Sequence, residues 1–212
     1  MWTHSRLYAI LDVDIVQARG LAPLEVCDSW LDAGVRLIQL RAKTMASGPM
    51  LALADALVAR ARAAGATLLI NDRADIARLS GADGVHVGQD DLSPADARVT
   101  VGPDAIVGLS THTEAQIAAA VTQPVSYIAV GPVFGTRTKD TGYGAVGLDL
   151  VRTAAAAAHA AGLPLVAIGG ITRANASSVF DAGADSVAVI GDLMGDTTAE
   201  LRRAATLFLG RT

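Results

Sequence analysis

Eight short, nearly uninterrupted apolar runs recur along the chain, at residues 7–11, 37–40, 67–70, 84–87, 106–109, 127–130, 165–168 and 186–190. A strand with one face in water alternates apolar and polar residues, whereas a strand covered on both faces does not. The runs therefore read as strands of a parallel sheet. The Ala- and Leu-rich stretches 24–33, 50–64, 73–79, 114–120, 149–161, 174–182 and 199–209 read as the helices that cover it. At five junctions (DAGVR, AAGAT, SGADG, AAGLP, DAGAD) a Gly follows a helix and precedes a strand, where a left-handed residue ends the helix. Ser93-Pro94 marks a further helix start, and Thr113…Gln116 and Thr197…Glu200 read as capping boxes. This punctuation predicts an α/β fold, a short (β/α)8 TIM barrel forming one domain over residues 1–212. An open doubly wound sheet is the alternative.

Composition narrows the function. With 212 residues, 51% hydrophobic, and a mean hydropathy of +0.40, the chain can bury one sizeable core. A net charge of -4 offers no basic face for nucleic acid. The single cysteine, Cys27, excludes an internal disulfide and suits a reducing compartment; within a helical run it reads as a buried, inert thiol. The first fourteen residues do not read as a signal peptide, and no apolar stretch reaches membrane-spanning length without Gly, Pro or charge. A cytoplasmic enzyme or binding domain acting on small molecules is expected, with assembly into a homo-oligomer left open.

In a barrel the chemistry sits at the carboxyl ends of the strands. Gln39, Arg41 and Lys43 share one face of an extended chain, and two cations with an amide at a barrel mouth suit a diphosphate. A surface loop with two basic residues is the plainer alternative. Asn71-Asp72 and Asp91 end two successive strands of a right-handed βαβ crossover, so both carboxylates project into one crevice. Paired carboxylates there suit Mg²⁺ with a phosphorylated substrate. Alternatively, Asp72 caps the next helix and Asp90 and Asp91 are solvated. Ser110 ends another strand as a hydrogen-bond donor, His112 precedes a cap, and His86 within its strand is equally a satisfied core histidine. The long Gly/Thr-rich loop 131–147 carries Thr136, Thr138 and Lys139, groups suited to a lid over phosphates. Gly169-Gly170 and Gly191, after the last two strands, allow backbone N–H groups to approach an oxyanion.

QLRAK, the Asn-Asp after the third strand, GVHVGQDD, GLSTHT, GPVFGTRTKDTGYGAVGL and AIGGI resemble, in order and spacing, the motifs of the thiamine phosphate synthase family. The resemblance runs from Leu7 to about Leu193. It implies a barrel that joins hydroxymethylpyrimidine diphosphate to a thiazole phosphate. It assigns Gln39, Arg41, Lys43 and Asn71 to the pyrimidine diphosphate, and Asp72 and Asp91 to Mg²⁺. Ser110 and Lys139 would contact the pyrimidine or its leaving diphosphate. Thr136, Arg137, Thr138, Gly170, Ile190 and Gly191 would hold the thiazole phosphate. Two departures stand out: Gly191 occupies a position where the family commonly has Ser, and DTGYGAVG after Lys139 aligns less well with the shorter family pattern.

The side chains at these ends include no nucleophile–base pair placed for covalent catalysis. Arg41, Lys43, Lys139 and Mg²⁺ instead suit stabilisation of charge on a departing diphosphate. A thiazole tautomerase of the same superfamily would not need that set, and a phosphate-binding regulator on a barrel scaffold would use it without turnover. A phosphosugar isomerase would want a carboxylate or thiol base instead.

Overall fold

Each apolar run is a strand in the computed structural model, which describes residues 5–135 and 144–210. In chain order the strands are β1 (Leu7–Asp12), β2 (Leu37–Arg41), β3 (Thr67–Asn71), β4 (Gly84–Val87), β5 (Ile106–Thr111), β6 (Tyr127–Val130), β7 (Leu165–Ile168) and β8 (Ser186–Val189). All pair in parallel with their sequence neighbours. Leu7 opposite Val187 and Ala9 opposite Val189 close the ring from β8 back to β1. The fold is a (β/α)8 barrel, and the open doubly wound sheet is excluded by that closure.

The helices are α1 (Val13–Ala18), α2 (Pro23–Asp32), α3 (Ser47–Ala63), α4 (Ala74–Ser80), α5 (Pro94–Val101), α6 (Glu114–Ala120), α7 (Gly147–Ala160), α8 (Ala176–Asp181) and α9 (Thr198–Leu209). No helix among the described residues is long and apolar enough to cross a membrane. The sequence reading missed α1, because the apolar run of β1 continues through Asp12 into Val13. Asp12 Oδ1 accepts the Ile15 N–H at 3.2 Å and so caps that helix. Ser93 starts α5 as its side chain accepts the Asp96 N–H. The Thr197–Glu200 capping box is complete. At α6, Thr113 accepts the Gln116 N–H, but the Gln116 side chain takes the His112 N–H at 2.7 Å instead of closing the box.

Strand periodicity divides the core in two. One set of strand residues, including Leu11, Leu40, Leu68 and Val187, packs outward against the helices. The other set fills the lumen: Leu37, Leu69, Ile106 and Val166, with Tyr8, Ile10 and Tyr127. Above this layer, toward the strands' carboxyl ends, the lumen turns polar. Buried Asp12, Gln39, Asn71 and His86 are uncommon in so apolar a chain, and buried polar groups need partners. Gly108 shows how the lumen is fitted. It pairs in register with His86 on one side and Tyr127 on the other, and a Cβ there would lie 2.1 Å from the Tyr127 ring. Its missing side chain lets those two rings stack, with centroids 5.5 Å apart.

Candidate active site

The polar end of the lumen opens into a cavity of about 420 Å³. Gln39, Arg41, Asn71, His86 and Ser110 line one side, and Gly169, Gly170, Ile190 and Gly191 line the other. Seven of the sequence-predicted site residues (Gln39, Arg41, Asn71, Ser110, Gly170, Ile190 and Gly191) thus meet at one wall or its opposite, from strands far apart in sequence. Lys43, Asp72 and Asp91 are not in that wall. They form a separate cluster that joins it through Asn71, the neighbour of Asp72. Thr136, Arg137, Thr138 and Lys139 lie outside the described residues.

Asp72 is the only non-glycine residue with positive φ among the described residues, at 62°. Aspartate tolerates the left-handed region better than most side chains, and such positions concentrate at functional sites. Its backbone N–H donates to the His86 carbonyl at 2.7 Å, which turns the chain out of β3. The next helix, α4, is N-capped by Arg73 without a side-chain bond, so the Asp72 carboxylate does not cap it. It forms an ion pair with Lys43 and lies within electrostatic reach of Asp91. Burial raises the Asp72 carboxyl above the usual aspartate range; Lys43 pulls it back, and Asp91 pushes it up again. Asp91 Oδ2 also accepts the Gly88 N–H at 2.8 Å, which fixes its direction.

Two neighbouring carboxylates, one partly buried, make a donor set that fits a divalent cation. Among the described residues no group of three or more His, Cys, Asp or Glu side chains converges. Mg²⁺ is typically held by only one or two carboxylates plus substrate phosphates and water, so the pair is sufficient.

Arg41 makes an ion pair with Asp12, its register partner on β1. Its Nε is buried with no hydrogen-bond partner among the described residues. An unsatisfied buried donor of this kind costs about 1–3 kcal/mol. An anion entering the cavity would satisfy it.

Ser110 and Gln39 are joined through the lumen. Gln39 Nε2 donates to the Tyr8 hydroxyl at 2.7 Å, and the Tyr8 and Tyr127 hydroxyls lie 3.2 Å apart. The Tyr127 hydroxyl meets His86 Nδ1 at 2.7 Å, and His86 Nε2 meets Ser110 Oγ at 2.8 Å. His86 is therefore a satisfied core histidine that also lines the cavity. Gln89 braces the same strand end by donating to the Ser110 carbonyl at 2.6 Å. His112 is turned to the Gly131 carbonyl.

On the opposite side Gly169 and Gly170 have φ of 101° and 64°, and a Cβ on Gly170 would lie 2.7 Å from the Gly135 carbonyl oxygen. Only glycine fits there. Asn175 Nδ2 donates to the Gly170 carbonyl at 3.0 Å. Asp192 accepts from Arg173 at 3.0 Å, neutralising a carboxylate that would otherwise repel an anion.

A family profile described as thiamine monophosphate synthase matches residues 7–193. The chain belongs to the thiamine monophosphate synthase family. Its relatives include a thiamine-phosphate synthase of Koribacter versatilis (strain Ellin345), 48% identical over 96% of this chain and 94% of that protein. Another, from Azorhizobium caulinodans, is 40% identical over 95% of this chain and 93% of its own length. Among solved structures, a thiamine phosphate pyrophosphorylase from Pyrococcus furiosus superposes with a TM-score of 0.80 at 30% identity, covering 98% of both chains. This member of the thiamine monophosphate synthase family is accordingly an enzyme, a transferase of thiamine biosynthesis.

Within this family member, sequence reasoning overlooked Asp12, Tyr8 and Tyr127. Asp12 ends a strand as Arg41 and Asn71 do, but α1 follows it without a break and conceals that end. Tyr8 and Tyr127 are large side chains in strands of otherwise small or aliphatic residues, and that contrast was the available signal.

Proposed function

We propose that the cavity joins hydroxymethylpyrimidine diphosphate to hydroxyethylthiazole phosphate, giving thiamine phosphate and diphosphate. The observation that supports this reading is one cavity with a charged, polar wall on one side and a glycine backbone wall on the other. At one end, Arg41 with its unpartnered Nε adjoins the Lys43–Asp72–Asp91 cluster. At the other, the backbone of Gly170 and Gly191 lines the wall.

The reaction breaks the bond between the pyrimidine's methylene carbon and the diphosphate oxygen, which leaves with the electron pair. The electron-rich aminopyrimidine supports the resulting methylene cation. The thiazole nitrogen lone pair then forms the new C–N bond, and no proton need move. The protein's task is to hold two substrates in line, exclude water and stabilise charge on the leaving group.

Gln39 and Ser110 orient the pyrimidine ring, and Asn71, Arg41 and Lys43 bind its diphosphate. Lys139 contacts the leaving diphosphate in this reading, as the family resemblance implies. Thr136, Arg137 and Thr138, with Gly170, Ile190 and Gly191, hold the thiazole phosphate. Asp72 and Asp91 would hold Mg²⁺, which supplies neutralisation of diphosphate charge when bound. The same reading takes the chain as one barrel domain, working in the cytoplasm on small molecules without nucleic acid or a membrane. Diphosphate release from the two purified substrates, with and without chelator, tests it. Binding of both without release would make the protein a sensor instead, and thiazole turnover without the pyrimidine would make it a tautomerase.

A further inference from the structure

The bonds that join Gln39 on β2 to Ser110 on β5 form one unbroken chain through Tyr8, Tyr127 and His86. Its links are not independent. A phenol has one proton to give, and a neutral imidazole has one N–H and one acceptor nitrogen. Because Gln39 Nε2 donates to the Tyr8 oxygen, the Tyr8 proton is passed toward Tyr127. The Tyr127 proton then goes to His86 Nδ1. That leaves the imidazole proton on Nε2, donated to Ser110 Oγ, and the Ser110 proton turns toward the cavity that Ser110 lines. In this sense of the chain each of its four bonds has one donor and one acceptor, and only the Ser110 proton is left to face the cavity.

The chain is also rigid. Tyr8 and Tyr127 are buried, their rings meet edge-on at 6.2 Å, and Tyr127 stacks on His86. Gly108 provides the gap that this stack needs. Burial raises both phenols far above their ordinary titration range, so at neutral pH the hydroxyl protons remain in place.

We infer that this chain fixes the hydrogen-bonding polarity of the cavity, with Gln39 offering its carbonyl oxygen as acceptor and Ser110 its hydroxyl as donor, and thereby selects an aminopyrimidine over its deaminated, oxo counterpart. An exocyclic amino group donates and the ring nitrogen beside it accepts. In the oxo form the exocyclic oxygen accepts and the ring N–H donates. Accommodating the oxo form turns the Ser110 proton away from the ligand so that its oxygen accepts, and requires the Gln39 amide to reverse together with Tyr8, Tyr127 and His86. Tyr8, Tyr127 and His86 are positioning residues in this scheme, acting through Gln39 and Ser110. The inference rests on the proposed placement of the pyrimidine between those two.

The first test needs no variant. Nitrogen-15 NMR of the ligand-free protein, with the signal assigned through His86→Gln, is expected to show His86 protonated on Nε2. Protonation on Nδ1 would overturn the polarity. The second test compares the aminopyrimidine diphosphate with its oxo analogue. The wild type is expected to favour the former by roughly 10²-fold or more in kcat/KM, as sites with committed polar groups do. Tyr127→Phe keeps the ring but removes the proton given to Nδ1. It is expected to leave a mixture of His86 tautomers and to cut that preference roughly tenfold, about one neutral hydrogen bond, with the KM for thiazole phosphate unchanged. In a Ser110→Ala background the same change is expected to cost less than in the wild type, since part of its effect runs through Ser110. Additive losses, or full discrimination in Tyr127→Phe, would sink the proposal. Ser110→Ala with an unaltered pyrimidine KM is a distinct failure, because it removes the pyrimidine from this wall while the tautomer measurement stands by itself.

Discussion

Arg41 and Asp12 face each other across β1 and β2 as register partners and form an ion pair in which the Asp12 side chain is 1% exposed and that of Arg41 15%. The pair does two things. It aims the guanidinium into the cavity, and it leaves Asp12 Oδ1 to cap α1. Removing one partner of a buried pair leaves a charge without compensation and costs about 3–5 kcal/mol, with about 1 kcal/mol more for a lost cap. Asp12→Ala is therefore expected to be strongly destabilised in urea. Asp12→Asn can keep the cap, so its main defect should be a raised KM for the pyrimidine diphosphate. A wild-type KM in Asp12→Asn would show that Arg41 needs no such support.

Asp72 and Asp91 hold like charges near one another, so the free protein should gain from losing one of them. Asn also accepts the left-handed backbone found at Asp72. Asp72→Asn is thus expected to melt higher than wild type without Mg²⁺ while losing activity. Lys43, about half exposed, gives up little when its partner becomes neutral. Mg²⁺ should raise the melting temperature of the wild type, by ligand linkage, and not that of Asp72→Asn. Asp91→Ala should lose activity far more than Asp90→Ala, because Asp91 is the one turned to Gly88 and Asp72. Full activity in excess EDTA would remove the metal from this account.

For Lys139 the expectation rests on the role proposed for it at the leaving diphosphate. A contact made mainly in the transition state lowers kcat and kcat/KM together when removed. Lys139→Ala should show that pattern in steady-state kinetics. A raised pyrimidine KM at constant kcat would mean that Lys139 serves ground-state binding alone.

Cys27 is buried on α2, and burial, aided by the Asp28 charge and opposed by Arg60, raises its thiol from 9.0 to about 12. The unfolded thiol releases its proton near its ordinary value, while the folded one keeps it. Stability is therefore full below about 9 and falls as pH rises toward about 12, by up to about 1.4 kcal/mol per pH unit. Cys27→Ala should flatten this alkaline decline in denaturation curves taken across that range. At neutral pH thiol reagents should label Cys27 only as fast as the protein opens.

How far the sequence anticipates this molecule depends on whether a feature is local. Strand positions were legible because burial on both faces leaves continuous apolar runs, and glycines such as Gly81, with φ of 68°, close helices where the pattern stops. The shared face of Gln39 and Arg41 follows from a period of two. The nearness of Asp72 and Asp91 follows from the parallel crossover that joins β3 to β4. By contrast, Tyr8 and Tyr127 are 119 positions apart, and their meeting depends on the stagger of strands around a closed barrel. No local periodicity encodes which lumen residues share a layer. The Asp12–Arg41 pair was hidden for another reason: α1 follows β1 without a break, so Asp12 did not stand out as a strand end.

The last expectation concerns Gly191, where the family commonly has Ser. Two objections to restoring the hydroxyl can be checked against the structure. A glycine held at positive φ would resist replacement, but Gly191 is absent from the positive-φ residues. Crowding would also resist it, yet a Cβ at Gly191 meets nothing within 4 Å, in contrast to Gly170 across the same wall. The side chain therefore enters open space beside the cavity. A hydroxyl donating to a charged phosphate is worth roughly 1.5–3 kcal/mol, and a water already serving that oxygen would offset most of it. Gly191→Ser is expected to tighten thiazole phosphate several-fold in a titration and to leave the pyrimidine KM alone. Equal affinity would mean that water does the work of the missing hydroxyl. Weaker affinity would mean that the phosphate itself occupies the space the Cβ needs, and that Gly191 is there to admit it.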